Sequence, residues 1–364
     1  MQTLYLKEEF LSNFLDTLNK EYQVYVPYKV KGNTVKCDFD FQLPTDDYLF
    51  KTYSPNDKEK FIFNTYRTVE PLRTFYSYFK ERVASYFISE QNKAIPQKKI
   101  AIFGVKNCDL YSLKIQDFVF LEGVTKDPLY EKRRKESLII SGDCPAFKEA
   151  CFCLALHINP YVTDGFDLNF SPLNDGFLVD VGSSKGEDVI KISNNYFSLA
   201  TPLQLSARAQ KRNAVVEKLN HHLKPHKIPS EDLLQEIVTK GYSSAVWSDE
   251  ALTCVECGGC NLMCDTCHCF LLSDERFGDI NEKIRVWDAC LYQNFAKVAG
   301  GANPNKYRYQ RLRYRYFKKF DFFPDNLGMV ACCGCGRCID VCPGKIDIRR
   351  ILKRLNDEKS VSTP

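Results

Sequence analysis

The sequence predicts an α+β fold, with an N-terminal mixed α/β domain over residues 1–240 and a mainly helical, cysteine-dense domain over residues 241–364. Three observations predict it. Between residues 98 and 181, short β-like runs alternate with helical stretches, as in an α/β or α+β domain. Residues 203–223 and 229–240 then read as two helices that bridge to the second domain, the latter with acidic residues near its start. Beyond them, cysteines recur at fixed short intervals, interrupted by a long spacer that contains a helix-like stretch.

Taken in order, residues 22–30 and 37–41 read as strands, and residues 69–87 as a helix with an aromatic face. Strands follow at 99–103, 138–140 and 177–181, with a helix at 109–119. The GSSKG segment at 182–186 reads as a hairpin or loop turn after the last of these runs. In the second domain, residues 282–298 read as a helix that Gly300 and Gly301 terminate. No G-x-G-x-x-G fingerprint and no phosphate loop is present, so nicotinamide or ATP binding has no local signal.

Two ladders carry the chemistry: Cys254, Cys257, Cys260 and Cys264, then Cys332, Cys335, Cys338 and Cys342. Both have the spacing C-x2-C-x2-C-x3-C, and Pro343 follows the second, which is the bacterial ferredoxin pattern for iron–sulfur clusters. In that pattern the fourth cysteine of each run ligates the other cluster. The spacing therefore assigns one [4Fe–4S] cluster to Cys254, Cys257, Cys260 and Cys342, and a second to Cys332, Cys335, Cys338 and Cys264. The second domain thus reads as ferredoxin-like, and the chain as an electron carrier. Structural zinc pairs two short halves across a spacer, which a ladder repeated twice does not resemble. Disulfides are disfavoured because residues 1–10 lack the charged start and apolar run of a secretion signal.

In the first domain, Cys108 and Cys144 each follow an apolar strand-like run, and loops after the strands of one sheet gather at one edge. With Cys151 and Cys153 they supply four soft ligands, enough for a third [4Fe–4S] cluster. Free cysteine is also among the most buried residue types, so spacing alone leaves the cluster and small core thiols equally open. Cys37, Cys290 and Cys333 read as buried thiols; Cys267 and Cys269, directly after a cluster ligand, read as sulfurs beside a cluster, alternative ligands or packing residues, with packing favoured and a catalytic thiol a further possible role.

Residues 306–320 carry seven positive charges and no negative one, with tyrosines interleaved. Such a stretch can grip phosphate and stack bases. Its place between the ladders favours packing, cluster electrostatics or partner docking, and a formal charge of +4 over 364 residues gives no strong basic excess. A zinc-bound scaffold or nucleic-acid module is the alternative function class. At 44% hydrophobic and 26% charged the chain is an ordinary globular composition. No run approaches the length of a membrane span. Seventeen cysteines without a secretion signal indicate a reducing, cytoplasmic compartment.

From about residue 98 to 350 the chain also resembles a known family, the iron–sulfur β subunit of soluble sulfhydrogenase-type [NiFe] hydrogenases and its relative, the corresponding iron–sulfur subunit of anaerobic sulfite reductase. The resemblance rests on FGVKNCDL at 103–110, DPLYEKRR at 127–134, Cys144 with CFC at 151–153, and VGSSKG at 181–186. It continues through CVECGGCNLMC at 254–264, WDAC at 287–290, AGGANP at 299–304 and CGRC at 335–338. It implies a non-catalytic electron-transfer subunit of a cytoplasmic complex, wired between a flavin subunit handling NAD(P)H and a catalytic hydrogenase or sulfite reductase subunit. It also favours the third cluster, because the family pattern includes Cys108, Cys144, Cys151 and Cys153. Two departures stand out: Asp265 replaces the proline after Cys264, and LALHINP at 154–160 replaces a small, glycine-containing segment.

Overall fold

The computed structural model describes residues 3–29, 35–36, 40–41, 47–56, 61–62, 65–86, 98–278 and 280–361. Strand β1 (Thr3–Lys7) leads into α1 (Leu11–Glu21), whose Leu11, Phe14, Leu15 and Leu18 recur every three or four residues and are buried. Strand β2 (Tyr22–Lys29) follows at once. The pair β3 (Val35–Lys36) and β4 (Asp40–Phe41) stands apart, while β5 (Tyr48–Thr52) runs antiparallel to β2. Val30, Cys37 and Phe87, which the sequence placed in elements, lie outside the described residues.

After β6 (Lys80–Tyr86), strand β7 (Lys99–Val105) enters α2 (Asn107–Asp117), and α3 (Pro128–Glu136) returns to β8 (Ser137–Gly142). Asp127 caps α3 by accepting from the backbone N–H groups of Leu129 and Tyr130, with Pro128 at the first helical position. Then come β9 (Leu168–Pro172), β10 (Gly176–Val181), α4 (Ser184–Ile192) and β11 (Phe197–Leu199). The expected GSSKG loop is corrected here: Ser183 accepts from the Gly186 N–H at 3.2 Å and so starts α4.

Eight of these strands form one sheet in the order β11-β1-β10-β9-β8-β7-β2-β5. The pairs β2/β7, β7/β8 and β8/β9 are parallel, and the flanking pairs are antiparallel. Every residue of β8 is buried, as expected for a central strand covered on both faces. Phe103, Leu138 and Ile140 pack on the α1 side, whereas Ile102 and Ile139 pack with Leu110 and Leu113 of α2 on the other. The ends of the parallel strands β7 and β8 lead to the first turn of α2, which carries Cys108, and to the loop that carries Cys144.

The second half begins with α5 (Pro202–Leu223), α6 (Glu231–Lys240), α7 (Val246–Ala251) and the short α8 (Gly259–Leu262). Strands β12 (Phe270–Phe277) and β13 (Ile280–Trp287) form a hairpin, followed by α9 (Arg308–Phe317), α10 (Phe323–Leu327), α11 (Arg337–Asp340) and α12 (Ile348–Val361). Two expected helices are strands instead. Over residues 69–87 the chain makes a single 3-10 turn at Leu72–Phe75 and then β6, because its aromatics serve different partners rather than one stripe. Phe75 meets Tyr25 and Phe50, Tyr76 meets Tyr130, and Phe79 meets Trp287. Residues 282–298 give β13 and then turns; pairing of β13 with both β12 and β6 overrides the helical pattern. The cysteine-rich half is therefore less helical than expected. One hydrophobic core joins the halves, with Phe152, Leu156 and Ile158 packed among Trp247, Leu312, Phe320 and Ile351. Among the described residues no helix is long and apolar enough to cross a membrane.

Candidate iron–sulfur sites

The two ladders fold alike. In the first, Glu256 (φ 60°) and Gly258 (φ 70°) are left-handed, and Gly258 caps the four-residue α8; in the second, Gly334 (φ 63°) and Gly336 (φ 73°) take the same places before α11. Each ladder then ends alike: the N–H of Cys264 donates to Asn261 O and that of Cys342 to Ile339 O, both at 3.2 Å. A left-handed residue before each of the second and third cysteines lets one short loop wrap three thiols around a common point. The short helix carries the fourth away.

That fourth thiol goes to the other ladder. Cys342 lines one cavity with Cys254, Cys257 and Cys260, walled by Leu312 and Tyr316 and reached also by Cys338 of its own ladder. Cys264 in turn lies within electrostatic reach of Cys332, Cys335 and Cys338. Among the described residues, Glu149, His222 and His226 form the one group of three or more His, Cys, Asp or Glu ligand atoms all within 4.8 Å of each other. Arg349 contacts both Glu149 and His226, placing a cation where a metal would sit. No set of the described cysteines is that tight, whereas a tetrahedral zinc would draw thiolates to about 3.8 Å of one another. The donor set suits a polynuclear cluster with sulfurs spread across its corners.

Buried cations face these sulfurs. Arg315 is charged against Cys260, Cys338, Cys264 and Cys267, and its Nε is buried without a hydrogen-bond partner. Lys319 Nζ donates to Cys264 Sγ at 3.2 Å and to Thr266 Oγ1 at 2.7 Å. Arg67 donates to the Cys335 carbonyl and, at 2.6 Å, to Asp340. Fixed positive charge in a dry setting matches the negative charge of thiolates and cluster together. Burial drives the thiols of Cys260 and Cys332 up to about 12. Hydrogen bonding from Cys333, helped by Arg337 and Arg67, brings Cys335 down to about 6 against the effect of burial. The basic stretch at 306–320 is thus turned largely inward: α9 buries Arg311 and Arg315, Arg308 donates to the Cys254 carbonyl at 2.8 Å, and Arg313 stacks on Tyr242.

The first-domain cysteines also converge. Cys108 sits in the first turn of α2, Cys144 two residues past β8, and Cys151 and Cys153 on the loop that follows. Cys144 is within electrostatic reach of Cys108, Cys151 and Cys153. This set abuts the second ladder: Phe152 N–H donates to Gly334 O at 2.7 Å, and Cys335 is within reach of Cys108, Cys151 and Cys153. The missing side chains of Gly334 and Gly336 make room for the 150–153 backbone. A Cβ on Gly334 would lie 2.4 Å from Cys153 Cα, and one on Gly336 2.2 Å from Ala150 O. In the LALHINP segment, His157 takes the left-handed φ of 53° that a glycine adopts at less cost.

Asp265, in the proline position, is buried and accepts from the Arg73 backbone N–H at 3.0 Å and from Arg337 at 3.3 Å. Its carbonyl takes the Gln116 side chain at 2.6 Å, so the first ladder is tied to α2. Sequence reasoning passed over the buried Arg67, Arg73 and Arg337; the CGRC motif was the one signal for Arg337. It also separated Cys267, Cys269 and Cys290, which line one cavity.

Residues 253–346 match the protein family described as 4Fe-4S dicluster domain. Over 362 residues the chain is 29% identical to sulfhydrogenase 2 subunit beta of Pyrococcus furiosus, covering 98% of this chain and 99% of that one. The match to the 4Fe-4S dicluster domain thus spans both ladders, and over nearly its whole length the chain is similar to a sulfhydrogenase beta subunit.

Proposed function

We propose that this chain is the electron-transfer subunit of a cytoplasmic oxidoreductase complex. It passes electrons between a flavin subunit that handles NAD(P)H and a catalytic subunit of hydrogenase or sulfite reductase type. The observation that carries the reading is that two identically folded ladders stand side by side, with Cys342 lining the cavity of Cys254, Cys257 and Cys260 and Cys264 within electrostatic reach of Cys332, Cys335 and Cys338. In this reading those four hold one [4Fe–4S] cluster, Cys332, Cys335, Cys338 and Cys264 hold the second, and Cys108, Cys144, Cys151 and Cys153 hold a third. Each such cluster supplies a site for one electron at a potential its surroundings set.

The chain's own residues do the rest. Arg315, Lys319 and Arg67 offset the charge of the thiolates, and Leu312, Tyr316 and Ile348 exclude water from the first-ladder cavity. The contact between the 150–153 loop and Gly334 supports a third site next to the second. No acid, base or nucleophile is required of the chain. At the exposed Cys257 the first site opens toward a partner.

Iron, acid-labile sulfide and zinc on anaerobically purified protein test this. Cys257→Ser, Cys335→Ser and Cys144→Ser are each expected to lose about four irons relative to the parent. Zinc in place of sulfide, or parental iron in the ladder variants, overturns it. Co-purification with a nickel–iron or sirohaem subunit identifies the catalytic partner.

A further inference from the structure

Three thiols that neither ladder uses come together at the open end of the β12–β13 hairpin. Phe270 pairs with Trp287 at that end, so residues 267–269 lie beside residues 288–290, and the Asp288 N–H donates to Cys269 O at 3.0 Å. Cys267, Cys269 and Cys290 consequently line a single cavity. The Cys269 and Cys290 thiols lie within electrostatic reach of each other. The Asn261 side-chain amide approaches Cys290 Sγ at 3.0 Å and Cys267 Sγ at 3.7 Å, so one nitrogen spans two sulfurs.

The cavity's other walls suit an anionic occupant. Arg315, Lys318 and Lys319 line it and no carboxylate does. Arg73 braces it from behind, donating to the carbonyls of Cys267 at 2.7 Å and Leu262 at 2.8 Å while stacked 3.6 Å from the Trp287 ring centroid. The three sulfurs do not all fall within 4.8 Å of one another, which is wider than a single tetrahedral metal ion requires. Lys319 also touches Cys264, so the cavity adjoins the second-ladder set.

We propose that Cys267, Cys269 and Cys290 hold an additional iron–sulfur cluster on three thiolates, next to the second-ladder cluster. The inference rests on the reading of the chain as an iron–sulfur subunit. It makes the second-ladder cluster a branch point, with neighbours on the first-ladder, 150–153 and hairpin sides. With three thiolates for a cubane, one iron lacks a cysteine ligand and is the one released on mild oxidation, leaving a three-iron cluster.

The test compares iron, acid-labile sulfide and electron paramagnetic resonance spectra of the anaerobically purified full chain with those of Cys267→Ser and Cys290→Ser. The parent is expected to hold about sixteen irons, and each variant three or four fewer. Ferricyanide treatment of the parent is expected to generate a three-iron signal that Cys290→Ser lacks. Parental iron in both variants overturns the proposal, as does a Cys269–Cys290 disulfide found by mass spectrometry in parent of full iron content. If a variant fails to fold, the oxidised parent decides, and absence of the three-iron signal overturns the proposal. Iron loss in Cys257→Ser with none in Cys290→Ser sinks this inference alone; loss in neither sinks the electron-transfer reading with it.

Discussion

Arg337 donates to the Asp109 carboxylate at 2.7 Å, with both side chains only 1% exposed. Arg337 stands between Cys335 and Cys338, and Asp109 follows Cys108, so this ion pair clasps the second ladder to the first-domain cysteines. The same guanidinium reaches Asp265 at 3.3 Å and donates through Nε to the carbonyls of Thr68 and Val69, each at 3.1 Å. One cation thus organises four segments. Asp265 is held well above the usual carboxylate range by burial, while Asp109, despite its own burial, is held below it by Arg337 and by hydrogen bonds.

Breaking a buried pair from one side strands the other charge. Arg337→Met should therefore destabilise the protein by about 3–5 kcal/mol, and the double variant Arg337→Met/Asp109→Asn should recover part of that loss. Urea unfolding followed by circular dichroism checks the cycle. Strict additivity of the two single effects would mean that the pair is not coupled.

Gly334 makes a second contact between the halves, and the demand on it is steric. Its φ of 63° disfavours a side chain, and a Cβ there would meet Cys153 N at 2.5 Å. Gly301, at φ 85°, has nothing within 4 Å of its Cβ position. Gly301→Ala should cost about 1–2 kcal/mol, the left-handed penalty alone. Gly334→Ala should cost more and also lower the iron content, because the ladder loop must lift from the 150–153 segment. Equal melting temperatures and iron contents in the two variants would refute the close-approach argument.

These contacts also mark how far the sequence could be read. The ladders were legible because ligand spacing is local: two left-handed residues and a short helix follow from C-x2-C-x2-C-x3-C. Strands β7, β8 and β10 were legible because their apolar runs are continuous. Strands β6 and β13 were not, since each is held by a partner from the opposite half of the chain and residues 282–287 read as well for helix as for strand. The convergence of Cys267 and Cys269 with Cys290 depends on that same hairpin. Asp265 looked like a lost proline and is a buried carboxylate because Arg73, Arg337 and Gln116, all distant in sequence, meet it.

The buried arginines lead to a prediction about potential. Arg315 faces the sulfurs of Cys260, Cys338 and Cys264, whereas Arg313 lies on Tyr242 and donates to the Tyr242 carbonyl at 2.9 Å. Arg311 pairs with Glu256 at 3.0 Å. Adding an electron to a cluster adds negative charge, so removing a nearby buried cation makes reduction harder. Arg315→Gln should lower at least one cluster potential by roughly 50–100 mV, a Coulomb term at an effective dielectric near 20. Arg313→Gln should leave all potentials unchanged. Redox titration followed by electron paramagnetic resonance measures both, and equal shifts would remove Arg315's special place.

Glu70 supplies the pH test. Its Oε1 accepts from the Phe50 N–H at 2.5 Å, and its Oε2 is buried without a partner. Burial raises its pKa from 4.5 to about 7, with the hydrogen bond and Arg337 offsetting part of the effect. A carboxyl whose folded pKa lies above its unfolded value contributes stability that is fully present below about pH 4.5 and is lost as pH rises through 7. At pH 8 Glu70 is ionised in a site that favours its neutral form. Glu70→Gln keeps an oxygen for Phe50 and carries no charge, so it should stabilise the protein at pH 8 by on the order of 1–3 kcal/mol relative to its effect at pH 5. Urea unfolding of both proteins at the two pH values measures the difference, and a gap that does not change with pH would show that Glu70 is ionised throughout.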